Sequence, residues 1–395
     1  MKPEINIGLF GYGVVGESLF HVLQHSKTVD AAVSKICVKQ KDKKRSLPKN
    51  KFIFNKEGII DDQEINLVVE LIDDAEEAYD IVKSCLKRKK AVVSGNKKML
   101  AYHLDELIEL QKETETALLY DASACGSIPV IRNIEEYYDN DLLKSVTGIL
   151  NGSSNYILSR IFNDDLDYQT ALKQARELGF AESNPSLDVD GFDTLYKLII
   201  ITTHAMGTYV QPDKVFNYGI SNIQKADIRF AREKNLKIKL VAQLLKLNSD
   251  SFTLFVIPRL VKPEKYIYNV EDEYNGVVIQ GEFYDKQFMF GKGAGGFPTG
   301  SAVLSDITAR SHHYKYEYKK QKYFKKVNYS TDHEIEIYLR YHNLVDLSYF
   351  EFERITEKYS GQEYNYVVGN IKLENLIKIK GILPKLNLFL AYINN

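Results

Sequence analysis

The chain has 395 residues, of which 44% are hydrophobic and 27% are charged, a balance typical of folded globular proteins. Its 52 basic and 53 acidic side chains leave a formal net charge of −1, so no overall field draws the protein to nucleic acid or to anionic lipid. No apolar stretch reaches the roughly 18 residues of a membrane helix, and the start of the sequence does not resemble a signal peptide. We therefore expect a cytoplasmic protein of two or three domains that binds neither nucleic acid nor a membrane.

The first 130 residues alternate short apolar runs with helix-like stretches. Residues 5–10, 33–38, 67–71 and 91–94 have the composition of strands. Helical segments between successive strands predict a parallel sheet, because parallel neighbours need crossover connections of a dozen or more residues. The sequence thus predicts an α/β dinucleotide-binding domain over residues 1–130, with a Rossmann-type doubly wound sheet and its ligand at the carboxyl ends of the strands.

A glycine-rich loop, Gly11-Tyr12-Gly13-Val14-Val15-Gly16, follows the first predicted strand. A dinucleotide site needs a tight turn whose backbone N–H groups approach the pyrophosphate at the N-terminus of a helix. Gly13 removes a side chain that would face the phosphates, and Gly16 lets the helix close on the sheet. The alternative is an ordinary glycine turn. The predicted cofactor contacts in this loop are Gly11, Gly13, Val14, Val15 and Gly16.

The loop after the second predicted strand is rich in lysine and arginine. A carboxylate at the end of this strand would accept from the ribose 2′-hydroxyl of NAD. The basic run from Lys39 to Arg45 is better suited to the 2′-phosphate of NADP. We therefore predict NADP as the cofactor, with Lys39 and Arg45 as contacts and NAD as the second choice. The alternative is a solvated, lysine-rich loop.

Beyond residue 130 the pattern changes to longer helices mixed with strands, which predicts a second, α+β domain over residues 131–310. Its final helix, residues 299–311, could pack back on the first domain. Residues 312–326 are crowded with Tyr and Lys, which favours an exposed connector or a charged helix over a core element. Alternating apolar and polar residues then predict a small β-rich appendage over residues 330–395.

The segment from Gly179 to Lys197 contains four carboxylates before its one lysine. Asp193 and Lys197 are four residues apart, so on a helix they share one face and could project together into a cleft. The alternative is a surface salt bridge, for which this spacing is common.

Further sequence blocks follow one another along the chain. They are the glycine loop, VVELI at 68–72, NKKMLA at 96–101, YDAS at 120–123 with GSIP at 126–129, GILNGSSNY at 148–156, the segment 179–197 and GAGGFPT at 293–299. Together they resemble the homoserine dehydrogenase family across roughly residues 5–310. That family reduces L-aspartate 4-semialdehyde reversibly to L-homoserine with NAD(P)H, on the route from aspartate to threonine and methionine. The resemblance implies this activity, a second domain that serves catalysis and dimerisation, and a homodimer.

The resemblance also implies roles in the segment 179–197. Lys197 resembles the family's proton donor, since an ammonium can stabilise and protonate the oxygen that becomes negative when hydride reaches an aldehyde carbon. Glu182 and Asp193 resemble the residues that bind the amino-acid substrate, and Asp193, beside Lys197, is also assigned a catalytic role. Gly179 would contribute its backbone, and Asp188 matches a supporting aspartate.

Three further positions resemble contacts of the nicotinamide cofactor. Lys97 resembles the family's lysine near nicotinamide and substrate, so we assign it both a catalytic and a cofactor role. Its alternative is a simple loop lysine. Ile72 and Gly295 resemble positions that contact the cofactor.

The block that begins at Tyr120 resembles the family's site for a monovalent cation. Its usual glutamate is Asp121 here, a shorter carboxylate. Carboxylate and carbonyl oxygens would suit Na⁺ or K⁺. The resemblance implies a site formed by Asp121, Ala124, Gly126 and Ile128.

Two other functions stay open from the sequence. Cys125 could be the nucleophile of a semialdehyde dehydrogenase that forms an acyl intermediate, although no histidine lies near it in sequence. The chain could also be a nucleotide-sensing regulator without turnover, against which the intact Glu182, Asp193 and Lys197 argue.

The C-terminal tail resembles a regulatory domain only in part. Residues 335–340 resemble the first strand of the ACT-like, amino-acid-binding domain that is often appended to this family. No Asp-x-x-Gly turn follows after Asp346. We therefore expect a degenerate ACT-like domain over residues 330–395, and threonine inhibition stays open.

Overall fold

The computed structural model describes residues 4–181 and 184–393. Over these residues the chain forms two compact units. The first comprises the chain up to Tyr137 together with Lys292–Lys319, and the second comprises Tyr138–Gly291 together with the chain from Lys320 onward. The predicted substrate residue Glu182 lies outside the described residues.

Helices and strands are numbered in chain order. The strands are β1 (Ile5–Phe10), β2 (Ala31–Cys37), β3 (Phe52–Ile53), β4 (Leu67–Glu70), β5 (Ala91–Ser94), β6 (Leu118–Leu119), β7 (Leu143–Ile149), β8 (Phe216–Asn217), β9 (Lys237–Lys246), β10 (Ser251–Val261), β11 (Tyr274–Gly281), β12 (Lys286–Lys292), β13 (Asn328–Tyr329), β14 (Glu334–Tyr341), β15 (Phe352–Ser360), β16 (Asn365–Lys372) and β17 (Leu388–Ile393). The helices are α1 (Val14–His25), α2 (Glu57–Ile60), α3 (Ala75–Lys87), α4 (Lys97–Thr114), α5 (Val130–Glu136), α6 (Gly152–Asn163), α7 (Tyr168–Glu177), α8 (Ser186–Val189), α9 (Phe192–Met206), α10 (Lys225–Glu233), α11 (Gly296–Ser311), α12 (Lys319–Tyr323), α13 (Leu344–Leu347) and α14 (Leu373–Ile379).

Within the described residues, the first unit contains a parallel sheet in the order β3-β2-β1-β4-β5-β6. Strands β4 and β5 are fully buried and β1 almost so, which accounts for their continuous apolar runs. The strand order reverses between β1 and β4, the switch point at which dinucleotides bind in such sheets. The predicted Rossmann-type sheet is confirmed.

Two helices of this sheet begin at side-chain caps. The Asp74 carboxylate accepts from the backbone N–H of Glu77 at 3.0 Å before α3. The Asn96 carboxamide oxygen accepts from the N–H of Met99 at 2.9 Å before α4. Such caps satisfy N–H groups that a helix start leaves without a partner. The cap at Asn96 therefore fixes Lys97 at the first position of α4.

Helices α1 and α11 pack closely within the first unit because glycines of α11 face α1. A Cβ atom at Gly300 would lie 2.9 Å from the backbone nitrogen of Leu19, and one at Gly296 would overlap the Ser18 side chain. The same Cβ at Gly296 would lie 3.0 Å from Val14. The start of α11 therefore lies beside the start of α1.

The second unit contains one long mixed sheet, whose described strands run in the order β12-β11-β7-β9-β10-β17-β14-β16-β15. The short strands β8 and β13 pair with β10. The C-terminal strands join this sheet through β17, which pairs in parallel with β10 and places Tyr392 opposite Arg259. The predicted mixture of helices and strands is confirmed, whereas the ACT-like identity of the C-terminal segment stays a prediction.

Helix α9 lies in the core of the second unit. Every residue from Asp193 to Met206 is buried. The helix ends at Gly207, whose φ of +66° is a left-handed conformation that glycine adopts without strain. Among the described residues, no helix combines the length and the hydropathy needed to cross a membrane.

The expectation of an exposed connector at residues 312–326 is wrong for two tyrosines. Tyr316 and Tyr318 are 1% and 4% exposed. The Tyr318 hydroxyl lies 2.8 Å from that of Tyr120, and the Tyr316 carbonyl accepts from the Gln111 side chain at 3.0 Å. Tyr316 and Tyr318 thus pack into the first unit, whereas Glu317 between them is exposed.

Candidate active site

The acid–lysine pair predicted near the start of α9 is buried. Gly191 precedes the helix in a left-handed conformation, with φ of +84°. The Nζ atom of Lys197 lies 2.7 Å from Oδ2 of Asp193, and the two side chains are only 6% and 3% exposed. The same ammonium donates to the Leu150 carbonyl at 2.7 Å. The pair is therefore no surface salt bridge, because both charges are withdrawn from bulk water.

Asn151 connects this pair to a second predicted carboxylate. Its side-chain oxygen caps α6 by accepting from the N–H of Ser154 at 2.8 Å. Its side-chain nitrogen donates to Oδ1 of Asp188 at 2.6 Å and to Oδ2 of Asp193 at 2.9 Å. One amide thus brings Asp188, Asp193 and Lys197 into a single cluster.

The loop that follows α7 begins at Gly179, whose φ is +77°. Its N–H donates to the Arg176 carbonyl at 3.0 Å. The next residue, Phe180, accepts a hydrogen bond at its carbonyl from the Ser153 hydroxyl of α6. This bond attaches the loop to the helix that Asn151 caps, so Gly179 lies near the cluster in the same unit.

The glycine loop of the first unit has the geometry of a phosphate cradle. Gly11 has a φ of +91°, and a Cβ there would lie 2.5 Å from the Leu71 carbonyl oxygen. A Cβ at Gly16 would overlap the carbonyl of Gly11, whereas one at Gly13 would meet nothing within 4 Å. Gly13 precedes α1 without a side-chain cap, so the helix start is open to an anion on that side. The residues present therefore fit a bound pyrophosphate.

Ile72 and Lys97 follow adjacent strands β4 and β5 and are joined by a hydrogen-bond network. The Glu70 carboxylate accepts from the N–H of Ile72 at 2.7 Å and from the Ser94 hydroxyl at 2.6 Å. The Asn96 side chain donates to the Ile72 carbonyl at 3.0 Å. Burial raises the pKa of Glu70 to about 7, against the lowering effect of its hydrogen bonds to Ser94 and Ile72.

These positions lie beside the glycine loop. A Cβ at Gly11 would lie 3.3 Å from the Ile72 side chain. On the other side, Gly295 has a φ of +115° and precedes α11, whose first residue adjoins Val14. The first unit thus brings together the predicted cofactor residues of the glycine loop, Ile72, Lys97 and Gly295.

The basic loop after β2 starts next to the glycine loop, since the N–H of Gly11 donates to the Cys37 carbonyl at 3.0 Å. Lys39 forms an ion pair with Glu77 and its side chain is 67% exposed. Arg45 donates to backbone carbonyls of its own loop, at 2.7 Å and 2.9 Å. The next residue, Ser46, contacts the glycine loop, because its hydroxyl lies 3.0 Å from that of Tyr12.

The predicted cation loop is buried and rich in backbone oxygens. The Asp121 carboxylate accepts from the backbone N–H of Arg132 at 3.1 Å. Burial, together with the neighbouring carboxylate of Asp306, raises the pKa of Asp121 well above its usual range. Gly126 has a φ of +52°, and a Cβ there would lie 2.7 Å from the Gly293 carbonyl oxygen. The Ile128 carbonyl accepts from the N–H of Val130 at 2.8 Å.

Metal binding by side chains alone is not supported at this loop. Over residues 4–181 and 184–393, no group of three or more His, Cys, Asp or Glu side chains could hold a metal ion. A cation here would depend on Asp121 together with backbone carbonyls, and these hard oxygen donors fit Na⁺ or K⁺.

Two family profiles cover most of the chain. The NAD-binding domain of homoserine dehydrogenase matches residues 11–121, and homoserine dehydrogenase itself matches residues 129–308. The homoserine dehydrogenase of Helicobacter pylori is 37% identical over 314 residues, which are 78% of this chain and 74% of the relative. The chain belongs to the homoserine dehydrogenase family. The Bacillus subtilis homoserine dehydrogenase, 32% identical over 77% of this chain and 72% of its own length, agrees.

The solved structures show the same fold. A homoserine dehydrogenase from Thiobacillus denitrificans superposes with a TM-score of 0.84 over 99% of this chain and 98% of that chain, at 24% identity. As a homoserine dehydrogenase, this chain is an oxidoreductase that acts on a CH–OH group with NAD(P). Its reaction is the reversible reduction of L-aspartate 4-semialdehyde to L-homoserine.

The family assignment does not favour the alternative with Cys125 as nucleophile. This cysteine is fully buried and has a φ of +59° in the predicted cation loop. A nucleophilic thiolate is formed most readily at a partly exposed, electropositive position. The non-catalytic regulator is likewise not favoured, because homologous enzymes match both sequence regions.

Two polar residues of these networks were not predicted as site residues. Asn151 carried a local signal, because an Asn before Gly-Ser-Ser is a strong N-cap sequence, but its contacts to Asp188 and Asp193 are long-range. Glu70 appeared only as one letter of an apolar strand. A carboxylate inside a buried strand is rare unless it is paired or hydrogen-bonded, and that rarity could have indicated it.

Proposed function

We propose that Lys197 is the proton donor for the reversible reduction of L-aspartate 4-semialdehyde. The observation that carries this assignment is the buried ammonium 2.7 Å from Asp193 and 2.7 Å from the Leu150 carbonyl. These described contacts use two of the three N–H donors of the ammonium, and the third is proposed to donate to the carbonyl oxygen of the substrate. The glycine loop would hold NADPH, which would supply the hydride. The fixed ammonium would stabilise and then protonate the alkoxide that forms on the substrate.

Asp188 and Asp193 are proposed to bind the α-ammonium group of the amino-acid substrate. Both carboxylates accept a hydrogen bond from the Asn151 amide, and Asp193 also contacts Lys197. Carboxylate oxygens suit a cationic ligand group. Gly179 would contribute backbone and Glu182 a further carboxylate. Lys97, at the start of α4, is proposed to act near the nicotinamide and the substrate.

The proton-donor role is tested by Lys197→Ala with Lys173→Ala as a matched control. Lys173 also forms a helical i,i+4 pair, with Glu177, but its side chain is 77% exposed. We expect Lys197→Ala to lower kcat by about 100-fold or more, while NADPH affinity, measured by fluorescence titration, changes less than about twofold. Near-normal turnover of Lys197→Ala would refute the assignment, and Lys173→Ala should behave as wild type.

We propose NADP as the preferred coenzyme. Lys39 and Arg45 would provide positive charge for the 2′-phosphate, with the exposed Lys39 beside the strand end that accepts from Gly11. The test is the ratio of kcat/KM for NADPH and NADH in wild type and in Lys39→Glu. We expect NADPH to be preferred by wild type and the preference to fall in Lys39→Glu. At least tenfold better use of NADH by wild type would overturn the proposal.

A monovalent cation at Asp121, Ala124, Gly126 and Ile128 is proposed as well. Activity should depend on Na⁺ or K⁺ when tetramethylammonium keeps the ionic strength constant. Asp121→Asn should weaken that dependence, because one anionic ligand is lost. Equal rates in tetramethylammonium and in KCl would contradict the site.

We propose a homodimer, in line with the family resemblance. Exposed rings on the edge strand β12, Phe288 and Phe290, are 37% and 52% exposed and would suit a protein interface. Sedimentation equilibrium tests this, and a single species at 45.3 kDa would contradict it. The cytoplasmic location stays a prediction.

A further inference from the structure

A short segment, residues 218–222, lies directly against the turn between α8 and α9. The N–H of Ile220 donates to the Val189 carbonyl at 2.7 Å. The side chain of Asn217, just before the segment, donates to the Asp190 carbonyl at 3.1 Å. Gly219 is in such close contact that a Cβ would overlap both the Val189 carbonyl and the Asp190 backbone. The segment therefore determines where this turn can lie.

The opposite side of the 218–222 segment is bound to C-terminal strands. The buried hydroxyl of Tyr218 donates to the Leu388 carbonyl of β17 at 3.0 Å. The guanidinium of Arg340, on β14, donates to the Asn222 carbonyl at 2.8 Å. The segment is thus enclosed between the α8–α9 turn and strands that come last in the chain.

Arg340 is itself part of a buried ion pair. Its Nε atom lies 2.9 Å from Oδ1 and 3.1 Å from Oδ2 of Asp227, and both side chains are fully buried. The Tyr338 hydroxyl donates to the same carboxylate at 3.0 Å. Separation of the two side chains would leave a buried charge unpaired at a high energetic cost, so the observed contact is strongly favoured. The C-terminal strands are therefore anchored next to the segment they contact.

The turn supported in this way carries the proposed substrate carboxylates. Asp188 lies one residue before Val189, and Asp193 lies two residues after Gly191. The Asn151 amide nitrogen donates to both carboxylates, at 2.6 Å and 2.9 Å. A shift of the turn would therefore move both carboxylates relative to Asn151.

We propose that residues 218–222 form a positioning element for the substrate carboxylates, held in place by β14 and β17. The C-terminal strands are then part of the machinery that orders the amino-acid site, acting through Tyr218 and Arg340 without touching substrate. This inference rests on the proposed roles of Asp188 and Asp193. It requires that the KM for the amino-acid substrate depends on the segment. The KM for the coenzyme, whose proposed site lies in the other unit, should not depend on it.

The sharpest perturbation is Gly219→Ala. The added methyl group cannot be accommodated by a side-chain rotation, because backbone atoms of Val189 and Asp190 face it, so the turn must move. Misplacement of binding groups by about 1 Å can cost about 100-fold in rate. We expect the KM for L-homoserine to rise about 10- to 100-fold, with the KM for NADP⁺ within about twofold of wild type.

Gly381→Ala is the matched control. It adds the same methyl group in the C-terminal segment, where a Cβ would meet nothing within 4 Å, and both KM values should stay at wild type. Tyr218→Phe provides a milder test that preserves the fold, because it removes only the hydroxyl that reaches Leu388. One neutral hydrogen bond corresponds to a rise of about two- to tenfold in the KM for L-homoserine.

The inference is overturned if both Gly219→Ala and Tyr218→Phe keep the wild-type KM for L-homoserine, or if the KM for NADP⁺ rises in parallel. Should Gly219→Ala fail to fold, Tyr218→Phe alone decides between these results. Failure of the proposed function would look different, because wild-type protein would then not respond to L-homoserine or Lys197→Ala would stay active.

Discussion

Asn151 offers a substitution whose effects on stability and on catalysis can be separated. Its side-chain oxygen caps α6, and its nitrogen donates to both Asp188 and Asp193. Asn151→Ala removes the cap and both hydrogen bonds. Asn151→Ser keeps a good capping residue but cannot supply the carboxamide N–H groups to the two carboxylates. Comparing these variants isolates the contribution of the nitrogen.

The structure sets the expected magnitudes. Loss of an N-cap costs about 1 kcal/mol, and each hydrogen bond to a charged group contributes about 1.5–3 kcal/mol. Because Lys197 still neutralises Asp193 at 2.7 Å, we take the lower limit for each bond. Asn151→Ala should then lower the free energy of unfolding by about 4 kcal/mol, and Asn151→Ser by about 3 kcal/mol.

The two substitutions should have similar effects on the KM for L-homoserine, although they differ in stability. Both variants release Asp188 from the amide, so both should raise the KM for L-homoserine by about tenfold or more, as expected for a loss of at least 1.4 kcal/mol in binding. Urea denaturation and initial rates at saturating NADP⁺ measure the two effects. The reasoning is refuted if Asn151→Ser keeps the wild-type KM for L-homoserine. It is also refuted if the KM values of the two variants, expressed as binding free energies, differ as much as their free energies of unfolding.

Three further predictions concern the first unit. Burial raises the pKa of Glu70 to about 7, so its contribution to the free energy of unfolding is fully present below pH 4.5 and is lost as the pH rises through 7. The stability of wild type relative to Glu70→Gln should therefore fall by up to about 3 kcal/mol over that range in urea titrations, and a constant difference would contradict it. Gly11→Ala places a Cβ 2.5 Å from the Leu71 carbonyl oxygen and should abolish NADPH binding in a fluorescence titration. Gly58→Ala is the control and should bind NADPH normally, because its Cβ meets only the flexible end of Ile53. Gly126→Ala should remove any stimulation by Na⁺ or K⁺, and unchanged stimulation would place the cation elsewhere.

The sequence predicted those parts of the fold that local patterns encode. Alternating strands and helices predicted the parallel, doubly wound sheet, and the glycine loop lies between β1 and α1 as predicted. The short-range spacing of Asp193 and Lys197 also predicted their contact. What the spacing could not show is burial, since the same i,i+4 pattern serves exposed pairs.

The features that were missed depend on contacts between distant residues. The bonds from Asn151 to Asp188 and Asp193 span about forty positions, and no periodicity reports them. The pairing of β10 with β17 places Arg259 opposite Tyr392, so the tail could be recognised as β-rich but not as part of the same sheet as β10. Residues 312–326 were interpreted by composition, whereas alternation of tyrosines with charged residues was the informative pattern.

The most direct test of the central claim is the oxidation of NADPH, followed by the loss of its absorbance, with L-aspartate 4-semialdehyde as substrate. We predict substrate-dependent oxidation by wild type that falls by about 100-fold or more in Lys197→Ala, with NADPH binding retained. Equal rates for the two proteins, or no oxidation by wild type in the presence of Na⁺ or K⁺, would contradict the account.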